Sequence, residues 1–364
     1  MNLREGRVGL RETSAIVLIA CLIGGVFSMN TQRVYQNGNS IYLSTILSAG
    51  FSLLLFYFVA DSMRKKNCKN LASLYRFAFG KVLAIPIMMI TVLAMIYAAV
   101  SPLIKNLLIL CRYVYVDSDF KQVALYFVPC LLVFTWMGLE TITRTAKIFW
   151  FLIVLSFVAA FVIAGPAFES YRLYPLLGNG IVDLLTIAVE GIARFFPALI
   201  ALLICGVGVQ GLDCAATAAG AGTLGGGLLA AGSQFCLGMT YSSKVLSSMH
   251  APMYRATMSV RTGSAYLRTD KLLLFFWTAG GLLAGGFFAY AGSLLYAQTM
   301  RIQDIRPVGA AISLTICTLV CIAYEHTDWF DATMKFLWVY AWAIMLIPPV
   351  LAAAIALLKR RRTA

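Results

Sequence analysis

Glu190 and Arg194 lie four residues apart in the apolar run 184–208. On a helix that spacing puts both side chains on one face. An ionisable group inside a hydrocarbon layer is costly unless a countercharge, a polar neighbour or cavity water meets it. The pair therefore either lines a substrate path or marks the interface where that helix begins. Phe195, Phe196 and Pro197 follow directly. Proline removes a backbone N–H and obstructs the preceding turn, so a break is expected at Arg194–Pro197. The first apolar run, 12–30, holds Gly24-Gly25, where the chain can leave the helix and approach a ligand. Broken helices in lipid occur only where protein, water or ligand supplies partners for the freed groups. The alternative for the glycines is close helix packing. Tyr97 and Ser101, one turn apart, offer two hydroxyls to a small ligand, or simply pack. Lys105 reads as a snorkelling side chain.

Together these residues form a set for binding, not for catalysis. The chain holds no HExxH pattern and no Ser/His/Asp arrangement, so no enzyme is expected. Gly220–Gly227 is followed by no Gly-Lys-Ser/Thr and is no phosphate loop. The nine cysteines make no CxxC pair, and only His250 and His326 stand beside them. A metal site, a disulfide framework and a cofactor are therefore not expected. Most of the cysteines read as small packing residues.

The elements that must position these residues follow from composition. Of 364 residues, 61% are hydrophobic and 12% charged, and mean hydropathy is +0.84. No single soluble core takes up that excess. The apolar residues fall in runs long enough to span a hydrocarbon layer as helices. Ten runs are read, at 12–30, 39–61, 83–111, 121–138, 147–165, 184–208, 215–238, 271–297, 307–324 and 334–358. The chain is thus an all-α polytopic membrane protein forming one transporter-like domain, 1–364. Ten spans divide into two halves of five, about 12–165 and 184–358, each opening on a span that holds a breaker. Inverted halves with a midplane site between them are a transporter architecture.

The net charge of +14 sits mainly at span ends, as in Arg64-Lys65-Lys66 and Lys359–Arg362. That pattern reads as topology signal and contact with anionic lipid, not as a nucleic-acid surface. With the N-terminus cytoplasmic, seventeen basic residues lie inside and eleven outside, five of the eleven in the loop 239–271. Both termini inside is the better arrangement. The loop 239–271 is either a linker or a lid of short helices over the membrane mouth. In 62–81, Leu71, Leu74, Tyr75 and Phe79 share one face, which predicts a helix lying in the inner interface. No signal-type cleavage site follows the first run, so that span is expected to stay.

Several stretches carry a resemblance to a known family. Gly138-Leu139-Glu140-Thr141-Ile142-Thr143-Arg144-Thr145-Ala146-Lys147-Ile148 resembles the Glu-Thr-x-x-Arg-x-Ala-x-Ile signature of the B subunits of spore germinant receptors. Tyr174-Pro175-Leu176-Leu177-Gly178-Asn179-Gly180 resembles their Leu-x-Pro-Leu-Leu-x-Asn-Gly loop. Thr240-Tyr241, Arg268-x-Asp270, Trp277 and Asp304-x-Arg306-Pro307 fit the last third of the pattern. Met29 stands where the family usually has proline, and Gly206–Gly220 lacks the usual basic residues. Asn37–Tyr42 lacks the family's usual Asp-x-Trp, and Pro197-Ala198 stands where members tend to carry an acidic residue.

The resemblance implies the five-plus-five fold of amino acid–polyamine–organocation (APC) transporters. It implies a place in the inner membrane of bacterial spores, with A- and C-type subunits as partners and a small germinant, such as an amino acid, as ligand. In that reading the ligand lies between spans 1, 3, 6 and 8. Gly24 and Gly25 give backbone groups, N–H groups at a half-helix start suiting a carboxylate. Phe195, Phe196 and Tyr97 shape the pocket. The alternatives are a secondary permease for amino acids or organic cations, and an orphan subunit whose pocket has degenerated.

Overall fold

The computed structural model describes residues 8–27, 38–206, 208–249, 251–259, 269–325 and 327–359. Expectations that concern Met29, Asn37, Arg268 and the loop residues 260–268 lie outside the described residues. Ten helices are long and apolar enough to cross a membrane. They are α1 (Leu10–Phe27), α2 (Ile41–Lys65), α3 (Leu71–Tyr113), α4 (Phe120–Met137), α5 (Leu139–Ala164), α6 (Ile181–Ile204), α7 (Leu212–Thr240), α8 (Thr269–Met300), α9 (Arg306–Glu325) and α10 (Thr327–Leu358). All ten runs read from the sequence appear. α5 starts earlier than expected, because Gly138 at φ +86° turns the chain and Glu140 and Arg144 pair along the first turns.

Local chemistry sets the boundaries. Asn70 caps α3: its side chain accepts from the Ser73 N–H at 2.9 Å, and the Ser73 hydroxyl answers the Asn70 N–H. This reciprocal box satisfies two N–H groups that a helix start leaves free. Gly80, at φ +81°, then bends the chain. Leu71–Phe79 is thereby a separate segment before the span, with Leu71, Leu74 and Tyr75 buried. The expected short helix is thus present, shortened because residues 62–65 complete α2, and its apolar face packs on the protein. Asp304 accepts from the Arg306 N–H at 3.1 Å and starts α9.

α1 is the central helix. It packs against α7, α5, α8, α3 and the second half of α6. Its seat on α7 is made of glycines. A Cβ at Gly222 would lie 2.7 Å from Val17, and one at Gly226 would lie 2.5 Å from the Leu18 carbonyl. In a membrane, helices gain from such close approach because lipid supplies no hydrophobic drive between them. α8 meets its neighbours in the same way, Gly280 facing Ile23 and Gly285 facing Leu103. The outer helices turn large apolar side chains outward, Val162 being 72% exposed. A water-facing surface does not carry so much apolar area, whereas lipid accepts it.

Successive spans run antiparallel, which gives the bundle two ends. At the N-terminal end the Val8 N–H donates to the Gly208 carbonyl at 3.0 Å, Glu12 accepts from Lys147 at 2.6 Å, and Arg64 pairs with Asp213. At the other end, short helices Ser243–Ser248 and Pro252–Ser259 lie over the bundle, the second packing on α5, α7 and α8. Arg255 Nε donates to the Tyr113 hydroxyl at 3.0 Å, and the Tyr254 hydroxyl donates to Asp270 at 2.7 Å. In its described residues the 239–271 connection is therefore a lid and not a slack linker.

Candidate functional site

The site is built where the last turn of α1 meets the break in α6. α6 consists of two helices, Ile181–Glu190 and Ile192–Ile204, with Gly191 between them. The break lies one turn before the expected Arg194–Pro197, and the second half runs through Pro197 without interruption. Gly191 N–H still reaches the Ile187 carbonyl at 2.9 Å, but the Arg194 N–H turns to the Gly191 carbonyl at 3.0 Å. The Ala188 carbonyl accepts instead from the Ser48 hydroxyl of α2, at 2.8 Å. A break in lipid needs such a substitute partner. Glycine leaves room at the turn for the side chains that pack on it: a Cβ at 191 would lie 2.1 Å from Ser48 Oγ and 2.4 Å from Arg194 Nη2.

Arg194 thus folds back over Gly191 towards α2. Its Nη1 points at Thr45 Oγ1 across 3.5 Å, and Glu190 contributes a neighbouring negative charge. The Thr45 hydroxyl donates to Gln234 Oε1 of α7. Gln234 Nε2 donates to the Gly25 carbonyl at 3.2 Å. Thr45 and Gln234 are fully buried. The chain Arg194–Thr45–Gln234–Gly25 therefore ties α6, α2, α7 and α1 into one polar layer inside an apolar bundle. Gln234 thus brings a buried side-chain donor to the backbone of α1.

The sequence-derived residues fall as follows. Gly24 and Gly25 meet Arg194 and Phe195 directly: a Cβ at Gly24 would lie 2.4 Å from the Arg194 carbonyl, and one at Gly25 would lie 3.2 Å from the Phe195 ring. The helix runs on through both glycines to Phe27, so their N–H groups lie inside it. Phe195, Phe196 and Pro197 are buried on the second half of α6. Tyr97 and Ser101 bond each other on α3, which packs against α1, α8 and the second half of α6. Thr45, Ser48, Gly191 and Gln234 were not singled out in the sequence. Only Gly191, a glycine directly after a charge in an apolar run, carried a readable signal.

The N-terminal end of the second half of α6 has partial positive charge and suits an anion. Arg194 and Glu190 add one full charge of each sign beside it.

Comparison with known proteins agrees with this architecture. A family model described as spore germination protein matches residues 9–329. No curated protein sequence matches the chain. Among solved structures, a sodium-coupled sialic acid symporter in a substrate-bound outward-open state is similar, with TM-score 0.66 and 11% identity over 94% of this chain and 79% of the other. A nucleobase-cation-symport-1 family transporter, closed with bromovinylhydantoin bound, gives 0.65 and 12% over 97% and 91%. The manganese transporter of Eremococcus coleocola gives 0.63 and 13% over 94% and 76%. At such identities the likeness is one of fold: the bundle has the architecture of these transporters.

Proposed function

The chain belongs to the spore germination protein family, and on that premise we propose that it is the transporter-like membrane subunit of a spore germinant receptor. It senses a small germinant, an amino acid being the class that best suits the site. The observation that carries this reading is the meeting of α1 and α6 at Gly24 and Arg194, with a buried polar chain running from Arg194 to the Gly25 carbonyl. A zwitterion matches it: the carboxylate towards Arg194 and the start of the second half of α6, the ammonium towards Glu190. Phe195, Phe196 and the Tyr97–Ser101 pair shape the rest of the pocket, and Pro197 stiffens the wall that carries them.

Binding at this junction biases two helix arrangements, and the partner subunits read the difference. Those partners are the A- and C-type receptor subunits. The location is the spore inner membrane, with both termini on the core side as the basic residues favour. The two halves, 12–165 and 184–358, act as one domain around the site. The same fold serves transport elsewhere, and fold alone does not assign function.

Spores lacking the gene, scanned across amino acids, sugars and nucleosides, test the reading. Loss of the response to one compound class is expected. An unchanged profile, together with uptake of labelled amino acid by proteoliposomes of the lone chain, replaces the sensor with a permease. An unchanged profile without uptake leaves an orphan subunit.

A further inference from the structure

A second group of buried polar atoms lies on the other side of α1. Asn106 of α3 is fully buried, and neither its Nδ2 nor its Oδ1 has a hydrogen-bond partner among the described residues. On α8, Trp277 Nε1 and Thr278 Oγ1 are buried and equally unmet. Asn106 meets the face of α8 that Gly281 shares with Trp277 and Thr278. A Cβ at Gly281 would lie 2.3 Å from Asn106 Nδ2, so glycine there makes room for the amide. Trp277 and Thr278 precede Gly281 by four and three residues and lie on its face of the helix. Buried polar atoms are nearly always hydrogen-bonded, because leaving one unmet forfeits its bonds to water. Four such atoms along the seam of α3 and α8 call for an occupant.

The last turn of α1 separates this seam from Arg194. Gly24 and Gly25 face α6 and α7, whereas Ile23 faces Gly280 and Phe27 meets the Trp277 ring edge-on at 6.3 Å. Phe157 stacks on Trp277 from α5 at 5.1 Å. The seam is also close to the lid. Asn106 lies seven residues before Tyr113, which Arg255 of the lid contacts, and Trp277 lies seven residues after Asp270, which Tyr254 contacts. Seven residues are about two helical turns, roughly 10 Å.

We propose that Asn106, Trp277 and Thr278 form a second ligand site beneath the lid, one that takes a neutral hydrogen-bonding group such as a hydroxyl or carboxamide of a small solute. The donor set fixes the class. Asn106 offers two N–H bonds and one acceptor, Trp277 one donor, and Thr278 a hydroxyl that does either. None of them carries charge. A carboxylate or ammonium would lose its hydration here without gaining a countercharge. A hydroxyl or amide both gives and accepts, and so satisfies all three residues. Phe27 and Phe157 supply apolar walls for the carbon skeleton.

The test is thermal unfolding of the full chain in lipid nanodiscs, with D-glucose and acetamide as the hydroxyl and carboxamide probes. At least one probe is expected to raise the wild-type Tm saturably, by mass action on the folded state. Asn106→Leu and, as the milder change, Thr278→Val should each raise the half-saturating concentration by about tenfold, the effect of one lost hydrogen bond. Arg194→Gln should leave it unchanged, which separates this site from the one at the α6 break. No shift with either probe overturns the ligand site. If Asn106→Leu also lowers Tm in that case, ordered water alone fills the seam. Equal shifts in wild type and both seam variants overturn it too, as does loss of the shift in Arg194→Gln.

Discussion

A Cβ placed on Gly24 would stand 2.4 Å from the carbonyl oxygen of Arg194, so the backbones of α1 and α6 touch at this point. No side chain fits between them, and a backbone carbonyl cannot swing aside as a side chain can. Gly24→Ala should therefore push α1 and α6 apart and destabilise the protein by about 1–3 kcal/mol, the usual range for overpacking. Gly50, within α2, has nothing within 4 Å of the same position. Gly50→Ala should instead be neutral or stabilising by up to roughly 1 kcal/mol. Melting curves of the two variants beside wild type check the pair; equal losses would show that the contact at Gly24 is slack.

Gln234 is the link between Thr45 and the Gly25 carbonyl. Gln234→Leu keeps the bulk and removes the side-chain donor to the Gly25 carbonyl, while the Thr45 hydroxyl keeps the Ile41 carbonyl at 3.1 Å; the cost should be about 1–3 kcal/mol. Gln234→Glu, when ionised, cannot donate to the Gly25 carbonyl and should behave at least as badly. A double-mutant cycle of Thr45→Val with Gln234→Leu should show coupling, because the two share one hydrogen bond. Strict additivity in that cycle would mean the layer is not a network.

Between α5 and α6, Glu169 accepts from the Tyr171 hydroxyl and from Arg172, and Arg172 also donates to the Thr240 carbonyl at 2.8 Å. The Tyr171 bond and then the Arg172 bond hold the Glu169 carboxyl below the usual carboxylate range. A group whose pKa is lowered by folding stabilises the fold above its unfolded pKa, and that stabilisation fades as pH falls through the folded value. The tie to α7 should therefore be complete at neutral pH and loosen only in acid. The Glu169 N–H, bonded to the Met239 carbonyl at 3.0 Å, reports it. Its hydrogen-exchange protection, corrected for intrinsic rate, should drop in acid for wild type but stay flat with pH in Glu169→Gln.

The Glu12–Lys147 contact joins α1 to α5 at the N-terminal end, and the lysine side chain is 48% exposed. At such exposure a double-mutant cycle of Glu12→Gln with Lys147→Ala should give a coupling of only about 0.2–1 kcal/mol, shrinking as salt is added. A coupling several times larger would indicate that this end is drier than its exposure implies.

The ten spans were legible because a hydrocarbon layer demands long apolar runs and leaves them uninterrupted in the sequence. The segment Leu71–Phe79 was legible from one apolar face. The α6 break was misplaced by a turn. Pro197 lacks a single N–H, and a helix already begun at Ile192 absorbs that loss, whereas Gly191 sits where Ser48 and Arg194 leave no room for a Cβ. Thr45 sits among Ser44, Ser48 and Ser52, Gln234 follows Ser233, the two are 189 residues apart, and nothing local announces that they bond. Asn106 gave no signal for the same reason: its meaning depends on Gly281, brought against it only by folding.

The most direct test of the central claim is the germination dose–response of spores whose only copy of this protein carries Arg194→Gln, measured with the compound that gene deletion identifies. Protein abundance is matched by immunoblot. The account predicts that the half-maximal concentration rises by about tenfold or more, the effect of removing one charge-assisted hydrogen bond to the ligand. An unchanged half-maximal concentration at equal abundance would contradict it, because the ligand would then bind away from the α1–α6 junction.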